Sequence, residues 1–354
     1  MSRYIPFLKA KRGELTAMGE LSPEVKQAIC PFFDFPRKKA NYDSETYADT
    51  AQSIVTSLKK HWGSDAEFYF DDFDIDQKLI VNGEHQYAYM LKALQELQVI
   101  PVVALDRIKH NVAVAELKRE DEIASDIVAF RVEQCDFEDF DAREDQIDYD
   151  LATVFKEFEA IDLVLDCRLC TGMNISETGK QIAAFAQKFC TAYKKVRYVI
   201  VTGSSIPPSS RDVLETNSNC TLPRRELAII NKARAFSDVV LVAGDYATVS
   251  PFYSDAELDP KIMQKVMTAR LAYTFQGSHY FIRGSSVGTD GYEQYFGLAH
   301  TLCGQSFFRG PTYSLGDRYL HEKSRRLGNN CTPGAVIKPL VVAHINYMVL
   351  GAKV

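Results

Sequence analysis

Short apolar runs of β character recur along this chain, each closing on charged or hydroxyl residues, and most are followed by a stretch of helical periodicity. Tyr4–Leu8 leads into Lys9 and Lys11, Pro31–Phe33 into Asp34, Phe68–Phe70 into Asp71 and Asp72, and Val99–Leu105 into Asp106 and Arg107. Asp126–Phe130 gives Arg131 and Glu133, Ile161–Leu165 gives Asp166 and Arg168, Tyr198–Val201 gives Thr202 and Ser204, and Val239–Val242 gives Asp245. Continuous apolar runs suit strands covered on both faces, and their alternation with helices is the pattern of a parallel sheet. Eight such runs predict a (β/α)8 TIM-like barrel, whose C-terminal strand ends converge on one mouth. A doubly wound open sheet uses the same βαβ unit. The count favours closure, and no G-x-G-x-x-G or G-x-x-x-x-G-K-[ST] loop follows any run to suggest a nucleotide-binding open sheet.

Helical spacing places helices over Leu21–Ile29, which opens at a Ser22-Pro23 cap, and over Ser44–His61, with Tyr47, Ala51, Ile54, Val55 and Leu58 inward. Further helices are expected over Glu84–Gln98, Val112–Ala124, Tyr149–Ala160, Ile175–Val196 and Leu222–Phe236, with acidic Asp136–Asp150 a solvated loop. Beyond about residue 250 the pattern changes. Lys261–Tyr273 reads as a helix, His279–Arg283 as a short strand, Tyr292–Cys303 as a helix and Gly310–Cys331 as polar and irregular, while Val336–Leu350 is apolar again. Residues 1–250 are therefore expected to form the barrel and 251–354 a helical and irregular C-terminal extension packed on it.

With 354 residues, 46% hydrophobic and 25% charged, the chain can bury one large core. Its net charge of −6 argues against an open basic nucleic-acid surface, although a local positive pocket can still take one phosphate or a strand end. No stretch approaches the roughly 20 apolar residues of a membrane span, and Lys9, Lys11 and Arg12 follow the first apolar run without a signal-peptide pattern. A cytoplasmic protein without a membrane partner is expected. Eight scattered cysteines suit reduced, buried thiols better than a disulfide framework.

Several groups could carry chemistry. Lys9 and Lys11 share one side of a strand with Glu14 just beyond, a clamp for an oxyanion or a lysine of lowered pKa, unless they pair with Asp34 or Asp245 in a structural ring. Asp71, Asp72, Asp74 and Asp76 could hold Mg2+ or Mn2+ for phosphoester cleavage, but only alternate ones share a face, and a solvated loop with a helix-cap function accounts for them better. Asp106-Arg107, Arg131-x-Glu133 and Asp166-x-Arg168 supply guanidinium groups for a phosphate and carboxylates for a base or metal, or else tie neighbouring strand ends together. Thr202 to Ser205 and Gly244 to Tyr246 fall where many barrels bind phosphate through backbone N–H groups, although small residues also serve a tight turn. Cys167-x-x-Cys170 has no second C-x-x-C, which argues against zinc, and the dispersed histidines argue against His-rich metal sites. His344 reaches the mouth only if the tail folds over it.

The segment Phe7-Leu8-Lys9-Ala10-Lys11-Arg12-Gly13-Glu14-Leu15, followed by Ile29-Cys30-Pro31-Phe32-Phe33-Asp34-Phe35-Pro36, resembles the opening of the beta protein family, first named from T-even bacteriophage and found in many bacterial genomes. The closing pattern is similar as well: Tyr313-Ser314-Leu315-Gly316-Asp317-Arg318-Tyr319, then Asn329-Asn330-Cys331-Thr332, then His344-Ile345. The resemblance singles out Lys9, Lys11, Glu14, Asp34, Gly316, Asp317, Tyr319 and His344. It implies no assigned activity. It implies association with phage and with mobile or defence-related neighbourhoods, a setting that favours a nucleic acid or nucleotide over a metabolite.

Two expectations follow. The first is a metal-dependent hydrolase or phosphodiesterase of phage–host conflict or antiviral defence, with Lys9, Lys11, Glu14, Asp34, Asp106 and Asp166 catalytic. Arg131, Arg168, Ser204, Asp317 and His344 would bind the phosphate-containing substrate, and Asp71 and Asp245 would hold Mg2+ or Mn2+. The second is a non-catalytic module that holds a partner protein or small signal within a phage or defence complex, its strand-end charges forming a structural ring.

Overall fold

The computed structural model describes residues 3–38, 41–253 and 267–351. Every one of the apolar runs becomes a barrel strand: β1 (Ile5–Lys9), β2 (Phe32–Asp34) and β3 (Phe68–Asp71), then, after a short hairpin of β4 (Ile80–Val81) and β5 (Glu84–His85), β6 (Val99–Ala104), β7 (Ile127–Glu133), β8 (Ala160–Leu169) and β9 (Val196–Ser204). After β10 (Ser218–Pro223), which lies outside the barrel, comes β11 (Leu241–Asp245). The eight strands close in the order β1-β11-β9-β8-β7-β6-β3-β2, every pair parallel. Flanking helices complete a (β/α)8 TIM-like fold.

Alternation along the strands divides the apolar side chains between two cores. Ile5, Phe7, Phe32, Tyr69, Ile100, Val102, Ala129, Val164, Ile200 and Val242 fill the lumen. Leu8, Phe33, Phe70, Val103, Phe130, Leu165 and Val201 point outward under the helices. Phe7 stacks on Phe32 with ring centroids 4.3 Å apart, and Phe32 on Tyr69 at 5.6 Å, so the lumen has an aromatic floor. Each such fully buried side chain stabilises the fold by about 1.5–3 kcal/mol. Below it, Asp162 accepts from Tyr69 Oη at 2.7 Å and from Arg197 Nη2 at 2.6 Å, which plugs the N-terminal end.

The helix Ser44–His61 forms where its periodicity put it, started by an Asp43–Thr46 capping box and buried along Tyr47, Ala51, Ile54, Val55 and Leu58. Others shift at their starts. Glu84 and His85 pair in the hairpin, whose turn residues Asn82 and Gly83 have φ of 51° and 93°, and the helix is Gln86–Ala93. Asp106, with φ of 59°, turns the chain sharply enough after β6 for a helix to run over Ile108–Arg119. The acidic stretch expected as a loop instead carries a helical turn, Gln134–Phe137, and the start of the helix Glu144–Glu157. Leu222 lies in β10, and the helix after it is Arg225–Phe236.

Of the expected helix Lys261–Tyr273, residues 261–266 lie outside the described residues. The remainder is corrected: Ala269–Tyr273 belong to β12 (Thr268–Phe275), which pairs antiparallel with β13 (Ser278–Ser286), itself paired with β10. The polar stretch after residue 310 contains the helix Leu315–Ser324, and Ile337–Leu350 forms the C-terminal helix. These helices cross closely at Gly316, where a Cβ would meet the Pro339 carbonyl oxygen at 2.1 Å. Leu271, Tyr273, Ile282, Tyr295, Leu302, Leu320 and Leu340 gather in a separate apolar cluster on this side. Among the described residues no helix is long and apolar enough to cross a membrane.

Candidate active site at the barrel mouth

Two residues above the luminal floor, alternation lifts a polar tier inward: Asp34 above Phe32, Asp71 above Tyr69, Arg131 above Ala129 and Asp166 above Val164. Arg131 is its hub. Nη1 donates to Asp34 Oδ1 at 2.6 Å and Asp71 Oδ2 at 2.8 Å, while Nε and Nη2 donate to Asp166 Oδ2 at 3.1 and 2.7 Å. Tyr246 hydroxyl accepts from Arg131 Nη2 at 2.8 Å and donates to Asp166 at 2.6 Å. Burial alone would raise the Asp71 carboxyl, but Arg107, which donates to Asp71 Oδ1 at 2.7 Å, and Arg131 outweigh it and hold it down at about 2. Asp34 goes the other way: burial raises it, and Arg131 only partly offsets that. The tier is thus the ring of Asp–Arg pairs tying strand ends together, with the guanidinium of Arg131 committed to carboxylates of three other strands. Arg131, expected to bind substrate, and Asp34 and Asp166, expected to be catalytic, are joined in this ring.

Above the ring the cations change character. Phe73 lies under three guanidinium groups, its centroid 5.0 Å from Arg107, 4.4 Å from Arg131 and 4.2 Å from Arg168. Arg168 adopts φ of 51°, stabilised by its backbone N–H donating to Asp166 Oδ1 at 2.8 Å, and this left-handed turn folds its side chain back over the mouth. Its Nη1 reaches Tyr246 Oη at 3.2 Å and its Nη2 the Pro251 carbonyl at 3.3 Å, while its buried Nε has no hydrogen-bond acceptor among the described residues and makes only a longer ion-pair contact, 3.7 Å to Glu133 Oε1. The Thr202 hydroxyl, on the strand beside Asp166, is likewise buried without a hydrogen-bond partner among the described residues.

Lys9 flanks the same segment from the other side, its Nζ donating to the carbonyls of Ser250 at 3.0 Å and Phe252 at 3.3 Å. Tyr253 presents its ring to Lys9 Nζ at 3.7 Å and Lys11 Nζ at 4.4 Å. Glu14 turns back to accept from the Lys9 backbone N–H at 3.1 Å. Burial pushes the Lys9 amine down to about 8 and the Glu14 carboxyl up to about 7. The expected grouping of Lys9, Lys11 and Glu14 is what the structure brings together.

A sequence model of the family described as Beta protein matches residues 4–350. The chain belongs to that family. No curated protein matches it. The remaining expected site residues fall away from the mouth, each for an identifiable reason. Asp245 faces outward because Val242, Gly244 and Tyr246 take the inward positions of β11. Its carboxylate accepts from Tyr4 Oη at 2.6 Å, Arg224 Nη2 at 2.5 Å, His344 Nε2 at 2.8 Å and the Ala247 N–H at 2.7 Å, so it does not share a metal with Asp71. His344 is buried there too, its Nδ1 facing the Thr274 hydroxyl at 2.7 Å, so it does not cover the mouth. Asp106 is exposed and accepts from Gln146 Nε2 at 3.0 Å, outside the Arg131 ring. Ser204 Oγ is taken up by backbone, donating to the Val249 carbonyl in the segment after β11 at 3.2 Å and accepting from the Ile206 N–H at 3.1 Å. Asp317 caps the helix Leu315–Ser324 with Ser314 and accepts from Tyr273 in the C-terminal segment.

Sequence reading misses Tyr246, Phe73 and Tyr253. Tyr246 shares the inward side with Val242, four residues earlier, but the uniformly apolar run Val239–Val242 does not mark which side that is. It also misses that Asp72 and His110 are fully buried beside Asp71, their ligand-type atoms and that of Asp71 all within 4.8 Å of one another. The cysteines of the C-x-x-C are buried and free.

Proposed function

We propose that this member of the beta protein family is an enzyme that cleaves a phosphate ester at the barrel mouth. Its substrate in this reading is a nucleotide or a nucleic-acid end, and its setting is phage–host conflict. The observation that carries the reading is the Arg168 Nε–H, buried with no hydrogen-bond acceptor among the described residues and with Glu133 Oε1 3.7 Å away, across the 250–252 segment from a lysine and a glutamate whose pKa values are displaced toward neutrality. An unfilled guanidinium N–H is a position for a phosphate oxygen, since leaving it unmatched costs about 1–3 kcal/mol that a bound anion recovers. Lys11 adds positive charge to the same rim. Glu14 takes the proton of the attacking water, and Lys9 returns one to the leaving oxygen, each near its own pKa at neutral pH.

Hydrolysis of bis(p-nitrophenyl) phosphate by the full chain tests this. Lys9→Ala and Glu14→Gln each lower kcat/KM by about 10²-fold or more, as expected for loss of a general acid or base. Asp106→Asn, far from the ring, leaves it unchanged. No turnover by the unaltered protein, or unchanged turnover in both variants, removes the reading. A second reading, a non-catalytic module, draws on the saturation of Arg131 and the cover that Phe73 provides. It predicts saturable binding of the phosphodiester without release of nitrophenol.

A further inference from the structure

Immediately after Asp71, Asp72 faces the helices rather than the lumen. Its Oδ2 accepts from Gln86 Nε2 at 3.0 Å, whereas its Oδ1 lies 3.2 Å from His110 Nδ1, and neither of these last two atoms has a hydrogen-bond partner among the described residues. The other ring nitrogen decides what this means. His110 Nε2 lies 2.7 Å from the Val102 carbonyl oxygen, which can only accept, so Nε2 carries the hydrogen. In the neutral ring Nδ1 is then a bare lone pair next to a carboxylate oxygen, with no hydrogen between them. Gln86 Oε1, an acceptor as well, is also buried without a donor. Acceptors without donors in a fully buried space call for a cation.

We propose that Asp72, His110 and Asp71 bind a divalent first-row transition cation, Mn2+ or Zn2+. Two ligand atoms each about 2.1 Å from one ion lie about 3.0–3.4 Å apart at octahedral or tetrahedral angles, which matches the Asp72–His110 separation. One imidazole with two carboxylates suits these ions better than Ca2+, which takes oxygen ligands. The ring is also oriented as a metal-binding histidine is. Its remote N–H is held by a carbonyl, and its face stacks on Tyr87 with centroids 3.9 Å apart. The opposing charge is Arg107, whose Nη1 lies 3.9 Å from Asp72 Oδ1 and 2.7 Å from Asp71 Oδ1. Binding therefore displaces or weakens the Arg107–Asp71 pair, and removing Arg107 tightens it. This inference stands independently of phosphoester cleavage, because its test reads binding rather than turnover.

The test is calorimetric titration of the EDTA-stripped full chain with MnCl2 and with ZnCl2. One ion binds per chain, Asp72→Asn and His110→Gln weaken binding at least about tenfold, and Arg107→Ala strengthens it. For a variant that does not fold, the unaltered protein labelled with [15N]histidine serves instead: Zn2+ shifts one Nδ1 resonance strongly. Absence of saturable binding, equal binding in both ligand variants, or an unmoved histidine spectrum overturns the proposal and leaves a proton, shared between Asp72 and His110, in place of the ion.

Discussion

Two buried guanidinium clusters sit on opposite faces of the same strand end, and they differ in what surrounds them. Inside, Arg131 joins Asp34, Asp71 and Asp166 from three strands, with Tyr246 closing the circle. Outside, one residue earlier on the chain, Asp245 joins Arg224, Tyr4 and His344, and Arg224 also reaches Glu226 and the sulfur of Met348. The outer cluster is a seam between barrel and C-terminal helix, with all its partners structural. The inner one has the same chemistry but abuts a rim of cations, an Arg168 Nε–H with no hydrogen-bond acceptor among the described residues and a displaced amine–acid pair. Charge at a strand end therefore marks no site by itself. The face it occupies and the partners it lacks do.

Substitution at the two hubs puts this contrast under the greatest stress. Arg131→Met leaves three buried carboxylates facing one another and costs about 3–5 kcal/mol of unfolding free energy in urea, the largest effect expected of any of these substitutions. Asp245→Asn weakens charge-assisted bonds to Arg224 and His344 and costs about 2–3 kcal/mol, without changing turnover at the mouth. Loss of turnover in Asp245→Asn at full folding would place the outer cluster in the site and erase the distinction.

Acid separates the carboxylates of the inner ring. The folded-state pKa of Asp71 is about 2, below the ordinary value of about 3.9, so its contribution is complete above the ordinary value and is lost as pH falls through the folded one. That contribution is about 2–3 kcal/mol. Asp34, raised by burial, acts in the opposite sense over its own range, so Asp71→Asn and not Asp34→Asn flattens the acid limb of stability measured against pH. Away from both clusters, Gly316→Ala forces two helices apart at the Pro339 carbonyl and costs about 1–2 kcal/mol by thermal denaturation, with the mouth unaffected.

The barrel is legible in the sequence because strands buried on both faces must be apolar throughout, and polar residues end them where the mouth begins. The same continuity hides alternation. Val239–Val242 is apolar at every position, so nothing in it says whether Asp245 or Tyr246 turns inward. Lys9, Lys11 and Glu14 can be grouped from sequence, since they lie within six residues, at a strand end, the cap and the first turn of the helix Arg12–Met18 that follows. Asp72 and His110 cannot, since their contact joins distant segments and depends on a helix that starts at Ile108, made available by the left-handed turn at Asp106. β12 reads as helix from sequence because its alanine and leucine spacing satisfies both periods, and pairing with β13 decides between them.

In the proposed reaction the inner ring holds the mouth in shape while the Lys9–Glu14 pair above it moves protons. The pH dependence of kcat/KM for bis(p-nitrophenyl) phosphate reads this pair directly. A bell with limbs near the pair's values of about 7 and about 8 is expected, and Glu14→Gln removes the lower limb. A profile that is flat between about pH 6 and 9, or one whose limbs both survive in Glu14→Gln and Lys9→Ala, contradicts it.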